Sequence, residues 1–464
     1  MTESSFSLQP NMHFHLVGIG GAGISAIARV LLGRGFVVSG SDRQGTSLTA
    51  VLASEGATIY EGHAAEHIVG ADALVISSAV PADNPEVVAA RAAGIPVLKR
   101  ADFLGHLMAG QTGIAVAGSH GKTTTTGMIA QILLTADLDP TVIVGGVLPL
   151  LGSNGRYGQG RHFVIEADEY DHMFLGLRPT AAIVTSVEHD HPDLFATEAE
   201  YLAAFVDFVK LLPQDGQLLA GTDDAGVKQL LSKVNVPVTT YGLNDKADYQ
   251  ATDLRPNQLG GTDFVVVHGK ETVGLIRLRV PGEHNVKNAL AALLVGLREG
   301  VRFATIQQAL AEFGGIGRRF QVMGEVGGVT VVDDYAHHPT AIRTTLAAAR
   351  QRYLGRRLWA VWQPHTYSRT KLLLHEFAAS FTEADRVIAL DIYASRERET
   401  LGMGTAVVVA AMNHPQAIHI PCREDAATYL LDRVRPDDVI LLFSAGDGNE
   451  VGRWVLEGLR KRVK

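Results

Sequence analysis

Short apolar runs alternate with helix-period segments along nearly the whole of this chain, and few folds accommodate that pattern. His13–Val17, Phe36–Ser39, Ala73–Ile76, Pro96–Leu98, Gly113–Ala117, Phe163–Ile165 and Ala181–Val187 have the length and apolar character of buried strands. Ala22–Leu32, Thr124–Leu134, Val286–Leu297 and Ile306–Phe313 read as helices between and beyond them. Strand and helix in alternation predict an α/β architecture of mostly parallel sheets. One hairpin, Phe264–His268 with Val273–Val280 across Gly269–Thr272, departs from that winding. The pattern restarts near residue 111. It restarts again after Gly314, Gly315 and Gly317, through Val329–Val332, Leu358–Trp362, Arg386–Leu390 and Val439–Phe443. Three domains are therefore expected, over 1–110, 111–316 and 317–464, which suits 464 residues at about 100–200 per domain.

Composition narrows the class of partner. A formal charge of −8 argues against a protein that lives on nucleic-acid phosphates. The basic end, Arg460, Lys461, Arg462 and Lys464, reads instead as the cationic last turn of a helix. Cys422 is the only cysteine, so no internal disulfide and no oxidising compartment is indicated. The polar start from Met1 to Met12, with Glu3, lacks the basic and apolar regions of a signal peptide. Apolar stretches such as Ala406–Met412 fall short of the roughly 18 residues of a membrane helix. A cytoplasmic protein with no nucleic-acid and no membrane partner is expected.

Two loops are built to approach phosphates. Gly18, Gly20, Gly21 and Gly23 form G-x-G-x-x-G between a strand and a helix, where backbone N–H groups and the helix N-terminus favour a pyrophosphate. Asp42, 22 positions after Gly20, stands where a ribose-binding acid would stand. Taken alone, this loop suits a dinucleotide dehydrogenase, though it specifies a diphosphate more securely than a nicotinamide. The second loop, Gly118-Ser119-His120-Gly121-Lys122-Thr123-Thr124, ends as a P-loop does, with Lys122 for the β/γ-phosphates and the Thr123 hydroxyl for Mg²⁺. Val116 occupies the position where the strict pattern has its first glycine.

Polar clusters follow several strands. Glu166-Ala-Asp168-Glu169-Tyr170-Asp171 and Glu188-His189-Asp190-His191-Pro-Asp193 supply oxygen ligands for a hard cation beside the P-loop. The histidines also admit zinc, although no cysteine or fourth ligand stands at motif spacing. In the last third, Arg318-Arg319-Phe320, Asp333-Asp334-Tyr335-Ala-His337-His338 and Gln363-Pro-His365-Thr366-Tyr-Ser-Arg369 form a further polar set, where Arg369 can grip a carboxylate bidentately. Ser444–Asn449 reads equally as a nucleotide loop or a plain turn.

In this order, the segments resemble the Mur ligases, ATP-dependent enzymes of peptidoglycan precursor synthesis, from about His13 to the C-terminus. The resemblance rests on Gly18–Ser25, Gly118–Thr126, Glu166–Asp171, Glu188–Asp193, Gly282–Asn288, Arg318–Gln321, Asp333–Thr340, Gln363–Thr370 and the Gly446 loop. It implies a Rossmann-like N-terminal domain for a UDP-sugar, a central P-loop ATPase domain with a parallel sheet, and a C-terminal Rossmann-like α/β domain that takes the amino acid. The first loop would then hold the UDP diphosphate rather than a nicotinamide, with Ser25, His63, Ser77 and Ser78 also on the UDP-sugar side. Lys122 would contact phosphates, Thr123, Glu166 and His191 would serve the metal, and His284 and Asn285 would lie near adenine. Arg319 would meet the γ-phosphate and Asp334 the ribose, while Tyr335, His337, His365 and Arg369 would line the amino-acid pocket. The activity implied is joining of UDP-N-acetylmuramate to L-alanine through an acyl phosphate, with ATP and Mg²⁺.

The chain departs from the pattern at several places. Ser119 stands for the usual Thr, Thr366 for a frequent Arg, and Glu200–Phe205 offers no lysine for carbamylation. Glu169-Tyr170-Asp171 leans toward relatives that attach a recycled tripeptide instead. A dehydrogenase using the first loop and a nucleotide-gated binding protein are the more distant alternatives.

Overall fold

The structure is a computed structural model and describes residues 6–244 and 246–463; Glu3 and Lys464 lie outside them. Three sheets divide the chain. The first has five parallel strands in the order Thr58–Glu61, Val37–Asp42, His13–Val17, Ala73–Ile76, Val97–Lys99. The middle sheet has ten: Glu271–Arg277, Thr262–His268, Tyr249–Pro256, Val238–Gly242, Gln217–Gly221, Ala181–Val184, Thr112–Ala117, His162–Glu166, Thr141–Leu148 and Ser153–Arg156. It is parallel from Tyr249–Pro256 to Thr141–Leu148 and antiparallel at both edges. The third runs Gln321–Val326, Val329–Asp334, Asp438–Phe443, Arg357–Trp362, Arg386–Ala389, Ala417–His419, with only its first strand antiparallel.

The expected α/β winding is present, with informative differences. The hairpin exists, but Tyr249–Pro256 joins it as a third antiparallel partner. The strand expected over Ala181–Val187 stops at Val184. Beyond it the Thr185 hydroxyl donates to the carbonyls of Ala117 and His120, and Ser186 Oγ accepts from His120 N at 3.0 Å. Those bonds to the P-loop replace the ladder. Arg460, Lys461 and Arg462 lie in the last turn of the helix Glu450–Val463, where the carbonyl end of the helix dipole favours cations. No described helix is long and apolar enough to cross a membrane.

The cores show which sheets share buried apolar residues. One buried cluster runs from Phe14 and Phe103 under the first sheet to Phe163, Phe174 and Phe205 under the second. The third sheet has its own apolar clusters on its two faces, around Trp362 and Trp359. Its body meets the middle one through polar contacts: Arg319 with Thr123, Thr340 with Glu188, and Arg369 with Asp190. Polar contacts between bodies exchange with water more readily than a shared apolar core does.

Candidate active site

The strands Ala181–Val184, Thr112–Ala117 and His162–Glu166 lie side by side and parallel, so their carboxyl ends open into one crevice. Val116 is buried in the middle of these three, and the P-loop turn begins only at Gly118. Gly121 adopts φ 83°, and a side chain there would collide with Asn288, which lies over the loop from the helix Glu283–Arg298. The Ser119 hydroxyl donates to Glu188 O at 2.7 Å and accepts from Glu188 N at 2.8 Å, tying the P-loop to the neighbouring strand end. A serine does this without a threonine's methyl. His120 Nε2 donates to Glu188 Oε2 at 2.6 Å. Thr124 lies buried in the first turn of the helix Lys122–Thr135.

A line of charge crosses the crevice. Lys122 Nζ is 2.9 Å from Glu169 Oε2, and His191 Nε2 is 3.5 Å from Glu169 Oε1. Burial disfavours the Lys122 ammonium, but Glu169, Asp168 and Glu166 outweigh it and hold its pKa above the ordinary lysine value. Burial likewise works against the Glu169 carboxylate, yet Lys122 and His191 bring its pKa down to about 2. For His191, burial opposes protonation, and Asp190 with Glu169 raises the pKa all the same. Beside this line Thr123 Oγ1 donates to Glu166 Oε1 at 2.9 Å, Glu166 Oε2 accepts from Gly145 N at 2.6 Å, and Arg319 Nη2 reaches Thr123 Oγ1 at 3.2 Å. The structure gathers Lys122, Thr123, Glu166, His191 and Arg319 around one crevice, and Glu169, read from the sequence only as one oxygen donor of its acidic run, is the partner of Lys122.

The C-terminal body presents the loops after Val329–Asp334, Arg357–Trp362 and Arg386–Ala389 to this crevice. Several expected roles change here. The Asp334 carboxylate is oriented by the backbone: Oδ2 accepts from Phe320 N and Oδ1 from Ala336 N, both at 2.8 Å, which leaves a lone pair on each oxygen. The Tyr335 ring lies under the guanidinium groups of Arg318 and Arg319, at 4.9 and 5.1 Å, rather than open to a side chain. Arg369 does not present a free fork. Its Nη2 and Nε sit 2.7 and 2.9 Å from Asp190 Oδ1, Nη1 donates to His365 Nδ1 at 3.1 Å, and both side chains are about 95% buried. Asp190 was not singled out in the sequence because its partner is 179 positions away. Burial first, then Arg369, keeps His365 largely neutral with a pKa lowered to about 4, and the same causes push His337 well below its ordinary value. His337 Nδ1 donates to Tyr335 O at 2.9 Å, which leaves its Nε2 lone pair facing the crevice side, 4.0 Å from Asp190 Oδ2.

At the adenine end expected from the sequence, His284 has its pKa lowered to about 4 by burial, then by Lys287 and His120. Asn285 is buried and donates to Pro281 O at 2.7 Å, and it accepts from Asn288 Nδ2 at 3.2 Å.

In the N-terminal body Gly18, Gly20, Gly21, Gly23, Ser77, Ser78, Asp42 and His63 gather at the carboxyl ends of its strands. Asp42 is partly committed, since Oδ2 accepts from Gly20 N at 2.8 Å. Ser25 faces away from the crevice: it is fully buried and accepts from Asn154 Nδ2 of the middle sheet at 3.0 Å. Its expected contact with a substrate is therefore replaced by a domain contact. His63 Nδ1 is held by Ser41 Oγ at 2.9 Å and by the buried Glu86 at 3.1 Å. Arg100, unmarked by any motif, lays its guanidinium against Gly23 and pairs with Asp168 at 3.0 Å.

Comparison with known proteins follows the same three bodies. Residues 13–112 match the Mur ligase family, catalytic domain; 116–296 match the Mur ligase middle domain; 318–446 match the Mur ligase, glutamate ligase domain. The UDP-N-acetylmuramate–L-alanine ligase of Geobacter sp. (strain M21) is 45% identical over 96% of this chain and 97% of that protein. That of Desulfatibacillum aliphaticivorans is 44% identical over 95% and 97%. Among solved structures, a UDP-N-acetylmuramate-alanine ligase from Thermotoga maritima superposes with TM-score 0.83 at 28% identity, covering 97% of this chain and 100% of its own. A murein peptide ligase from Psychrobacter arcticus 273-4 gives 0.72 at 28% identity over 97% and 98%.

Proposed function

The chain belongs to the Mur ligase family, and from that we propose that it joins the lactyl carboxylate of UDP-N-acetylmuramate to the amine of L-alanine, driven by ATP, in peptidoglycan precursor synthesis in the cytoplasm. The observation that carries this reading is end-to-end similarity to L-alanine-adding ligases, on a chain whose middle sheet opens its strand ends around Lys122.

A carboxylate is a poor electrophile. Its oxygen attacks the γ-phosphorus of ATP, the bond to the β–γ bridging oxygen breaks, and ADP leaves. The amine then attacks the acyl carbon of the resulting acyl phosphate and phosphate departs. Lys122 neutralises phosphate charge, and its pairing with Glu169 keeps the ammonium aimed along the P-loop. Arg319 reaches Thr123 from the C-terminal body, so docking of that body adds a cation where the γ-phosphate would lie. The oxygens of Thr123 and Glu166, 2.9 Å apart, would hold Mg²⁺, and His191 would join them only as the neutral ring, released from Glu169. A magnesium ion bound by them would supply charge neutralisation for the transferring phosphoryl group. With Nδ1 committed to Tyr335 O, the His337 Nε2 lone pair can accept a hydrogen bond that orients the amine.

A phosphate-release assay with ATP, UDP-N-acetylmuramate and a panel of amines tests the assignment. L-Alanine is expected to support turnover, glycine and L-serine to do so more weakly, since one methylene discriminates by only about 1–3 kcal/mol. Release with L-Ala-γ-D-Glu-diaminopimelate and none with L-alanine would move the chain to the tripeptide branch. Glu166→Gln is expected to lower turnover on the order of 10²-fold, the scale of one lost electrostatic contact to the transition state. It should also raise the Mg²⁺ concentration needed for half-maximal rate. Turnover indifferent to chelator would remove the metal assignment.

A further inference from the structure

One set of donor atoms beside the P-loop is left over by the phosphate and magnesium contacts. His120 comes from the P-loop turn and Glu188 from the segment after Ala181–Val184. His338 comes from the C-terminal body, where it caps the helix Pro339–Arg352. A ring nitrogen of each histidine and one Glu188 oxygen lie within 4.8 Å of one another, the one such trio among the described residues. His120 Nε2 is 2.6 Å from Glu188 Oε2, and His338 Nδ1 is 3.7 Å from the same oxygen. The two imidazole rings are 5.0 Å apart, centre to centre. Zinc bound tetrahedrally at about 2.0–2.1 Å holds its ligand atoms about 3.3 Å from one another. The observed separations fall on both sides of that value, so side-chain rotation alone closes the set on one ion.

Two features set this trio apart from ordinary hydrogen bonding. His338 is 4% exposed, its Nε2 has no hydrogen-bond partner among the described residues, and Nδ1 receives only Thr340 N at 3.4 Å. Buried ring nitrogens are seldom left so poorly satisfied. The Glu188 carboxylate is meanwhile held in place, since Oε1 accepts from Thr340 Oγ1 at 2.7 Å. An outer hydrogen bond that orients a carboxylate ligand is a regular part of metal sites. The His120 and Glu188 side chains are partly exposed, which leaves an entry path.

We propose that His120, Glu188 and His338 form a zinc site that clips the C-terminal body to the P-loop and so arrests turnover. Two imidazoles and a carboxylate suit zinc, whereas magnesium favours a shell of oxygens. The ion takes the place of the proton between His120 Nε2 and Glu188 Oε2, and its fourth position stays open to water. The two bodies otherwise meet through polar contacts such as Arg319 with Thr123. An ion ligated from both bodies holds them closed until it dissociates, and product release from the crevice between them requires them to part.

The test titrates the full chain with zinc against a chromophoric chelator, in excess magnesium and without substrates. One zinc per chain is expected. His338→Gln should weaken zinc by about 100-fold or more, and Thr340→Val by about 10- to 100-fold, the range of a lost outer-shell partner. Glu166→Gln should leave zinc affinity near wild type, because Glu166 belongs to the magnesium donors. Cobalt(II) on the unaltered chain should give the intense visible absorption of a four-coordinate ion. Phosphate release should fall as the site fills with zinc, and His338→Gln, measured against its own zinc-free rate, should resist in proportion to its lost affinity. Unchanged zinc affinity in His338→Gln overturns the proposal, and so does affinity lost in Glu166→Gln, which would place the ion at the magnesium donors. A faint octahedral cobalt spectrum overturns it whether or not the variants fold. Zinc that binds through these ligands yet leaves phosphate release unchanged overturns the clip. Because binding is read without substrates, failure of the L-alanine assignment leaves this result untouched.

Discussion

Lys122→Ala is expected to lower phosphate release by about 10³-fold or more while UDP-sugar affinity stays near wild type, because the charge it removes faces the transferring phosphoryl group. Arg319, which reaches Thr123 from a different body, does not replace the ammonium next to it. A second effect accompanies the first. Glu169 is 1% exposed and loses its principal partner, so the variant retains a buried carboxylate with only His191 and the Tyr201 hydroxyl nearby. Removing one member of a buried pair costs about 3–5 kcal/mol when the other stays charged. Thermal unfolding of Lys122→Ala should therefore shift downward, and adding Glu169→Gln should recover most of that shift without recovering turnover. The glycine loop Gly18–Gly23 belongs to another sheet, so titration with UDP should report unchanged binding. Wild-type phosphate release by Lys122→Ala would remove the ATPase assignment.

The second large effect is mechanical. Arg369→Met should destabilise the docked arrangement by about 3–5 kcal/mol, again by leaving a buried charge, Asp190, without its partner. Asp190 has its pKa held well below the ordinary value, with burial opposing and Arg369 the largest favourable cause. The double variant Asp190→Asn with Arg369→Met should be markedly more stable than Arg369→Met alone. A double-mutant cycle followed by urea unfolding measures the coupling. A coupling under about 0.5 kcal/mol, the level found for independent sites, would show that the pair does not hold the two bodies together.

Much of the molecule was legible from residues close together in the chain. The alternation of apolar runs and helical periods led to three α/β bodies. The P-loop could be read from seven successive residues, and the acidic clusters announced themselves as the first polar positions after apolar strands. Errors appeared where one segment's bonds were decided by another. Thr185 and Ser186 looked like strand and became braces of the P-loop. Ser25 followed a glycine loop and looked like a ligand contact, but its hydroxyl met Asn154, 129 positions away. Asp42 and Asp334 stood where ribose-binding acids stand, and folding adds backbone N–H partners to their oxygens that spacing alone does not show.

The sequence by itself determined the strand, loop and helix order, the phosphate-cradling loop at Gly118–Thr124 and the family, because local periodicity and motif spacing depend on residues a few positions apart. Only the tertiary structure decided what each charged group does. The Glu169 carboxylate is held ionised to about pH 2 by Lys122, 47 positions earlier, and by His191. Arg369 reads in the sequence as a carboxylate clamp, and folding gives it a carboxylate of the protein itself, Asp190, from 179 positions away. A charge in water is hardly sensitive to distant sequence, whereas a buried one answers to whatever the fold places within a few ångströms, where weak dielectric screening makes that neighbour dominate.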